Sequence, residues 1–453
     1  MNLLASPLTT DLYQLTMLNA YYAHGMGEAA VFELFVRKLP EDRNFMMAAG
    51  LEQALEFLEH LRFTPEELEW VEASGKFSRG FAAHLERLRF TGDVHAQPEG
   101  TIFFPDEPVL RVTAPLPEAQ LVETRLINLV HFEVLVATKA ARSVIAAPGK
   151  LLVDFGLRRA HGAEAGLLAA RAAYIAGYSG TATVAAGQQL GIPVFGTMAH
   201  SFVEAHDDET AAFQRFAESA PRNAVLLIDT YDTEAAAHKV VALAPRLAQR
   251  GIRVKGVRLD SGDLAALSRS VRRILDEGGL AEATIFASGN IDEHRIRDLL
   301  AAGAPIDGFG VGTSLVTSSD APYLDAVYKL QEYAGRARRK RSTGKATWPG
   351  RKQVYRHCDR AGRFEHDVVT VEGDERPGDP LLVPVMRNGR RLHAPESLAT
   401  IRERAAAQLA KLPARLRALE SAARPYRVEI APALRKLAAQ VDRATEETPA
   451  LLR

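Results

Sequence analysis

The chain has 453 residues, enough for two or three domains. Hydrophobic residues make up 47%, charged residues 25%, and the formal net charge is zero; these values exclude a disordered or fibrous class and leave no global field to attract nucleic acid or anionic membrane. The single cysteine, Cys358, excludes an internal disulfide, points to a reducing cytoplasm, and sits in an alternating run (QVYRHCD) that gives it no support as a nucleophile.

The N-terminal MNLLASPLTTDLYQ lacks a basic stretch followed by an apolar core, so no signal peptide is expected. Residues 7–23 read as a helix, with Thr10 or Asp11 as N-cap and Leu12, Leu15, Leu18 and Tyr22 along one stripe. A dense strand follows at 30–37, then a helix at 50–61, short strands near 101–104 and 109–112, and a long helix at 116–140 started by prolines. Residues 1–145 are expected to form an N-terminal α+β layer.

From Leu151 the texture changes. Apolar runs at 151–154, 193–195, 224–228, 254–259, 284–287 and 306–310, with a weaker one near 178–181, alternate with helix-length segments at 164–176, 183–190, 207–219, 233–250, 263–277 and 292–302. Strict alternation predicts parallel strands with crossover helices. The fold class expected is α/β, with residues 146–322 forming an irregular (β/α) barrel. The competing architecture is an open doubly wound sheet, and the absence of Gly-x-Gly-x-x-Gly after the first strand weakens its dinucleotide-binding form. Residues 323–453 return to strands (327–333, 353–358, 364–371), separated by a basic segment read as a solvated loop, and finish in helices over 395–440 that are expected to pack back on the body.

Each barrel strand is followed by a polar or glycine-rich stretch: FGLRRAHG, GTMAHS, DTYDT, DSGD, SGN and VGTS. In a barrel these ends converge on one face, where active sites are built. Ser288, Gly289 and Asn290, with Gly310, Gly312 and Thr313, suit phosphate: glycine admits backbone N–H groups to an anion and a following helix start favours negative charge. A tight turn is the plain alternative for each. Arg158, Arg159, His161, His200, Asp229, Arg258, Asp260 and Asp263 supply charge. Arg258 and Asp260 flank Leu259, so both point to one face of a strand; the guanidinium can fork onto a carboxylate or phosphate, and the carboxylate can hold a sugar or offset developing positive charge. A structural ion pair at a strand end is the plainer, less favoured alternative, and Ser261 or Asp263 can simply cap the next helix. His200 alone reads as a satisfied core or capping histidine. Metal ligation with His206 is disfavoured by their spacing, and a reactive His200 needs an orienting partner, for which Asp229, Asp232 and Glu204 are candidates.

TDLYQLTM, GLRRAHG, GTMAHSFV, LLIDTYDT, GVRLDSGDL, ASGNIDE and GVGTSLVTS, in this order, resemble the nicotinate phosphoribosyltransferases. The resemblance implies a type II phosphoribosyltransferase fold and the joining of nicotinate to phosphoribosyl pyrophosphate, coupled to ATP hydrolysis, with Mg2+ and with homodimers that share active sites. It implies that His200 is phosphorylated by ATP, that Thr197 and Arg258 contact nicotinate, that Tyr13 comes from the partner subunit, that Phe155 stacks on the pyridine ring, that Arg158 binds phosphate, and that Gly310, Gly312 and Thr313 hold the phosphoribosyl phosphate. Asp260 is expected to steady the sugar. No protein metal ligand is assigned. The nicotinamide-using relative carries Asp in its Gly-Thr-Asp-Thr stretch; here Ala182 stands there, which suits an anionic pyridine. Nicotinamide or quinolinate phosphoribosyl transfer, and a non-catalytic phosphate-binding protein on the same fold, are the alternatives.

Overall fold

The computed structural model describes residues 6–446. The chain divides into two compact units, one made of residues 1–135 and 323–453 and the other of residues 136–322. The boundary falls inside a helix, Glu123–Ala146. The expected single helix over 116–140 is therefore two, since Leu116–Leu121 ends at Val122 before the longer helix starts.

In the first unit, a seven-stranded antiparallel sheet runs in the order Arg336–Ala337, Ala326–Tyr333, Ala29–Val36, Pro108–Pro115, Asp93–Ala96, Val383–Arg387, Arg390–Arg391. Ala29–Val36 is its centre and is buried on both faces. Phe32 stacks on Tyr328 across the ladder at 4.9 Å, the cross-strand aromatic pairing that fixes register. A four-stranded sheet (Asp379–Pro380, Lys352–Cys358, Phe364–Val371, Arg427–Ile430) packs Val354, Val369 and Leu381 against Leu434 of the helix Pro432–Glu446. The C-terminal region thus contains a strand between its two helices, Leu398–Lys411 and Pro432–Glu446. That strand, and those at 93–96 and 383–387, are four or five residues long and rich in charge or proline, too little alternation to mark a strand in sequence.

The second unit carries the parallel sheet. Its order is Gly180–Thr181, Leu151–Asp154, Gly308–Val311, Thr284–Ala287, Gly256–Leu259, Val225–Leu227. The last strand in sequence, Gly308–Val311, pairs with the first, Leu151–Asp154. All other neighbours are consecutive in sequence. That is the strand order of a (β/α) barrel and not of an open doubly wound sheet, and the ladders among the described residues do not close into a ring. The strand expected at 193–195 is reduced to a single bridge, Thr181 to Val194, and between it and Val225–Leu227 the tie is a side chain, Asn223 Nδ2 donating to Gly196 O at 2.9 Å. Pro193 has no N–H to extend a ladder. No described helix is long and apolar enough to cross a membrane.

Candidate active site

The second unit gathers its reactive side chains at the C-terminal ends of these strands. His200 opens a one-turn helix, His200–Glu204, that the sequence did not announce. Its Nδ1 lies 3.1 Å from Thr230 Oγ1. Its Nε2 lies 4.0 Å from both Asp229 Oδ1 and Asp260 Oδ2. Those distances are electrostatic contacts, too long for hydrogen bonds. Of the three carboxylates expected to orient the ring, Asp229 comes within 4.0 Å, while the ring's hydrogen-bond contact is Thr230. Asp260 joins it, whereas Asp232 is spent as an N-cap, accepting from Ala235 N.

Asp229 is almost fully buried, and its Oδ2 accepts from Asp260 N at 2.9 Å and Ser261 Oγ at 2.6 Å. Its Oδ1 is buried with no hydrogen-bond partner. Asp260 Oδ1 accepts from Ser288 Oγ at 2.5 Å, leaving Oδ2 turned toward His200. Gly289, with φ of +84°, packs so closely on Asp260 that a Cβ would fall 1.8 Å from its carbonyl oxygen. Ser288 and Gly289 therefore act on Asp260 directly. Ser288 N donates to Leu259 O at 2.8 Å, so that one of the backbone donors expected to meet phosphate is already spent.

Arg258 Nη1 donates to Thr197 Oγ1 at 2.9 Å and Met198 O at 3.2 Å, so the two residues expected to contact one ligand touch each other. Burial pushes the guanidinium below its ordinary value, Asp260 and Asp229 pull it back, and Arg158 adds repulsion. The Arg258 Nε is buried without a hydrogen-bond partner.

Asp154 ends the strand Leu151–Asp154 with only 1% of its surface exposed. Its Oδ1 accepts from Gly156 N at 2.7 Å and its Oδ2 from Thr181 Oγ1 at 2.6 Å. Burial raises its pKa and these two donors oppose the rise. It ties the loop carrying Phe155 and Arg158 to the GTAT stretch, where Ala182 is exposed. Phe155 lies over Gly310, where a Cβ would come within 2.5 Å of the ring. Gly310 belongs to the strand Gly308–Val311, where its missing side chain leaves room for that ring. Thr313 is exposed but begins a helix of only four residues, so the helix-start contribution expected there is small. Arg158 is exposed in a 3-10 turn.

Other expected residues stand apart. Tyr13, 48% exposed, belongs to the first unit, on the helix Leu12–Ala23. His206 follows the His200 turn and sits 2.7 Å from Phe202 O through Nδ1, short of the next helix, which Asp208 caps. Asp263 is the N-cap of Leu264–Glu277, accepting from Ala265 N and Ala266 N. Thr230 and Asp154 were missed. Both lie in stretches already singled out, but a hydroxyl beside an acid and an acid closing a strand carry no distinct sequence signal. No group of three or more metal-ligating side chains occurs among the described residues.

Three family patterns match the chain in order: the nicotinate phosphoribosyltransferase N-terminal domain over residues 8–131, the nicotinate phosphoribosyltransferase family over 151–342, and the nicotinate phosphoribosyltransferase C-terminal domain over 378–438. Nicotinate phosphoribosyltransferase pncB2 of Mycobacterium tuberculosis is 52% identical over 425 residues, covering 93% of this chain and 91% of that protein. Nicotinate phosphoribosyltransferase of Bacillus subtilis is 42% identical, covering 82% and 77%. The crystal structure of human nicotinic acid phosphoribosyltransferase superposes with a TM-score of 0.85 at 31% identity, covering 96% of this chain and 99% of that one. From its first strand layer to its C-terminal helices, this chain belongs to the nicotinate phosphoribosyltransferase family.

Proposed function

We propose that the chain joins nicotinate to phosphoribosyl pyrophosphate, giving nicotinate mononucleotide and pyrophosphate, and couples this to ATP hydrolysis through a phosphoryl group carried by His200. The observation that carries the reading is the cluster in which Arg258 bonds Thr197 and the Asp229 and Asp260 carboxylates each lie 4.0 Å from His200 Nε2. An anionic ring substituent fits the first feature, and the phosphate chemistry of His200 fits the second.

Arg258 and Thr197 orient the nicotinate carboxylate, with Phe155 against the ring. The pyridine nitrogen attacks the anomeric carbon as the bond to pyrophosphate breaks, and Asp260 offsets the positive charge that develops on the sugar. Arg158, Gly312 and Thr313 hold the ribose phosphate. His200 Nδ1, beside Thr230, takes the phosphoryl group from ATP as ADP leaves. Asp229 Oδ1 and Asp260 Oδ2 suit Mg2+, an ion held by one or two carboxylates together with substrate phosphates. When bound, it neutralises charge on the departing pyrophosphate. Exposed Leu12 and Tyr13 give a homodimer its contribution to the site, with Tyr13 delivered to the partner's pyridine pocket.

Incubation with γ-labelled ATP tests the coupling. Acid-labile label should appear on the parent protein and be absent from His200→Asn, whose phosphoribosyl transfer should become independent of ATP and slower. Equal labelling of the two proteins would remove His200 from this role.

A further inference from the structure

The long helix Glu123–Ala146 ends inside the second unit, and it buries Lys139 and Arg142 there. Lys139 is only 2% exposed. A buried cation is costly unless carboxylates face it closely. Lys139 Nζ lies 2.8 Å from Glu293 Oε2 and 2.9 Å from Asp320 Oδ1. Arg142 Nε meets the other Glu293 oxygen, Oε1, at 2.8 Å. Burial alone would raise the Glu293 pKa, but Lys139 and Arg142 outweigh it and hold the carboxyl below its ordinary value. None of these side chains has a part in the reaction as described above.

The segments that Lys139 joins both belong to the site. Glu293 opens the helix Glu293–Ala301, directly after the stretch in which Ser288 and Gly289 hold Asp260. Asp320 follows the short helix Thr313–Val316 and is folded back on it, with Ser318 N donating to Leu315 O and Ser319 N to Ser314 O, each at 3.1 Å. A second tie runs between the same segments: Ser314 Oγ donates to Ile291 O at 2.6 Å. An ion pair within one segment would only stabilise that segment. Lys139 instead spans two, so its length fixes the distance between them. We propose that Lys139 is a positioning residue that sets the spacing between Asp260 and the Gly312–Thr313 turn, and through that spacing the fit of phosphoribosyl pyrophosphate. The inference rests on the phosphoribosyl reading of the site, in which Asp260 faces the ribose ring and Thr313 its phosphate. One substrate then has to reach both segments at once. Nicotinate does not, because Arg258, Thr197 and Phe155 lie on neither.

The test measures binding of phosphoribosyl pyrophosphate by calorimetry, and KM for both substrates, in the full chain and in Asp320→Asn, Lys139→Arg and Lys139→Met. Asp320→Asn keeps the Lys139–Glu293 pair, so its circular dichroism spectrum and melting temperature should stay close to the parent's. Its affinity for phosphoribosyl pyrophosphate should nevertheless fall, and the KM for that substrate rise, by about tenfold, a part of the loss that an ångström's misplacement causes. Its KM for nicotinate should stay within about twofold of the parent's. Lys139→Met should show a larger loss of the same kind, and Lys139→Arg, which keeps the cation, should recover part of it. Asp320→Asn with unchanged affinity for phosphoribosyl pyrophosphate would overturn the proposal. So would KM values for both substrates that rise together as the melting temperature falls, since the cluster would then only stabilise the fold. A parent chain that binds no phosphoribosyl pyrophosphate would remove the phosphoribosyl reading itself and this inference with it.

Discussion

Asp260 shows how closely single positions are specified. One oxygen is held by Ser288, its backbone N–H is held by Asp229, and its carbonyl is pressed by Gly289. A methyl group at 289 has no room and would also have to adopt a φ of +84°. Gly289→Ala should therefore displace Asp260 and lower kcat/KM by roughly 10²-fold, the scale of an ångström's misplacement, with the circular dichroism spectrum retained. Activity within twofold or so of the parent would mean that Asp260 is not held where the chemistry needs it. The sequence made Asp260, Arg258 and Thr197 visible as residue types at strand ends. It could not show that Arg258 and Thr197 bond each other, or that Ser288 and Gly289 serve Asp260, because those contacts join strands 28 to 61 positions apart.

At the scale of elements, the parallel strands of the second unit were legible because each is short, apolar and stopped by glycine or a polar cluster. The run at 193–195 reads as a strand like the others but forms only a single bridge to Thr181, since Pro193 has no N–H to extend the ladder. In the first unit, folding depends on buried charge that pattern reading does not see. Arg356 pairs with Asp367 inside the four-stranded sheet, Tyr426 donates to Asp367 at 2.8 Å, and Glu107 is fully buried beside them. Burial and the Asp367 carboxylate hold Glu107 well above the usual carboxylate range, with Arg356 opposing. In the unfolded chain Glu107 ionises near ~4.3. Keeping it protonated in the fold therefore costs nothing below that pH and progressively more as pH rises toward its folded value. Glu107→Gln keeps a donor and removes this cost. It should raise the melting temperature at neutral pH, and the gain should shrink as pH falls through the ordinary carboxylate range. A gain that grew on acidification would reverse the sign and refute the assignment.

For the whole molecule, the resemblance of sequence motifs settled the family, and residue chemistry alone did not. Tyr13 makes the point: nothing in its helix sets it apart except exposure. If it completes the partner's site, Tyr13→Ala and His200→Asn should each be impaired alone. Random mixing of the two should then restore roughly one quarter of intact sites, the share expected for a two-fold dimer. No recovery after confirmed subunit exchange would place Tyr13 in its own chain's site or in none. The central claim, phosphoribosyl transfer to an anionic pyridine held by Arg258 and Thr197, is tested most directly by pyrophosphate release from phosphoribosyl pyrophosphate, with Mg2+ and ATP, using nicotinate, nicotinamide and quinolinate in parallel. Release should depend on nicotinate, with kcat/KM at least about 10²-fold above either competitor, as a site built for one polar group discriminates. Equal or greater release with nicotinamide or quinolinate, or none with nicotinate, would contradict it.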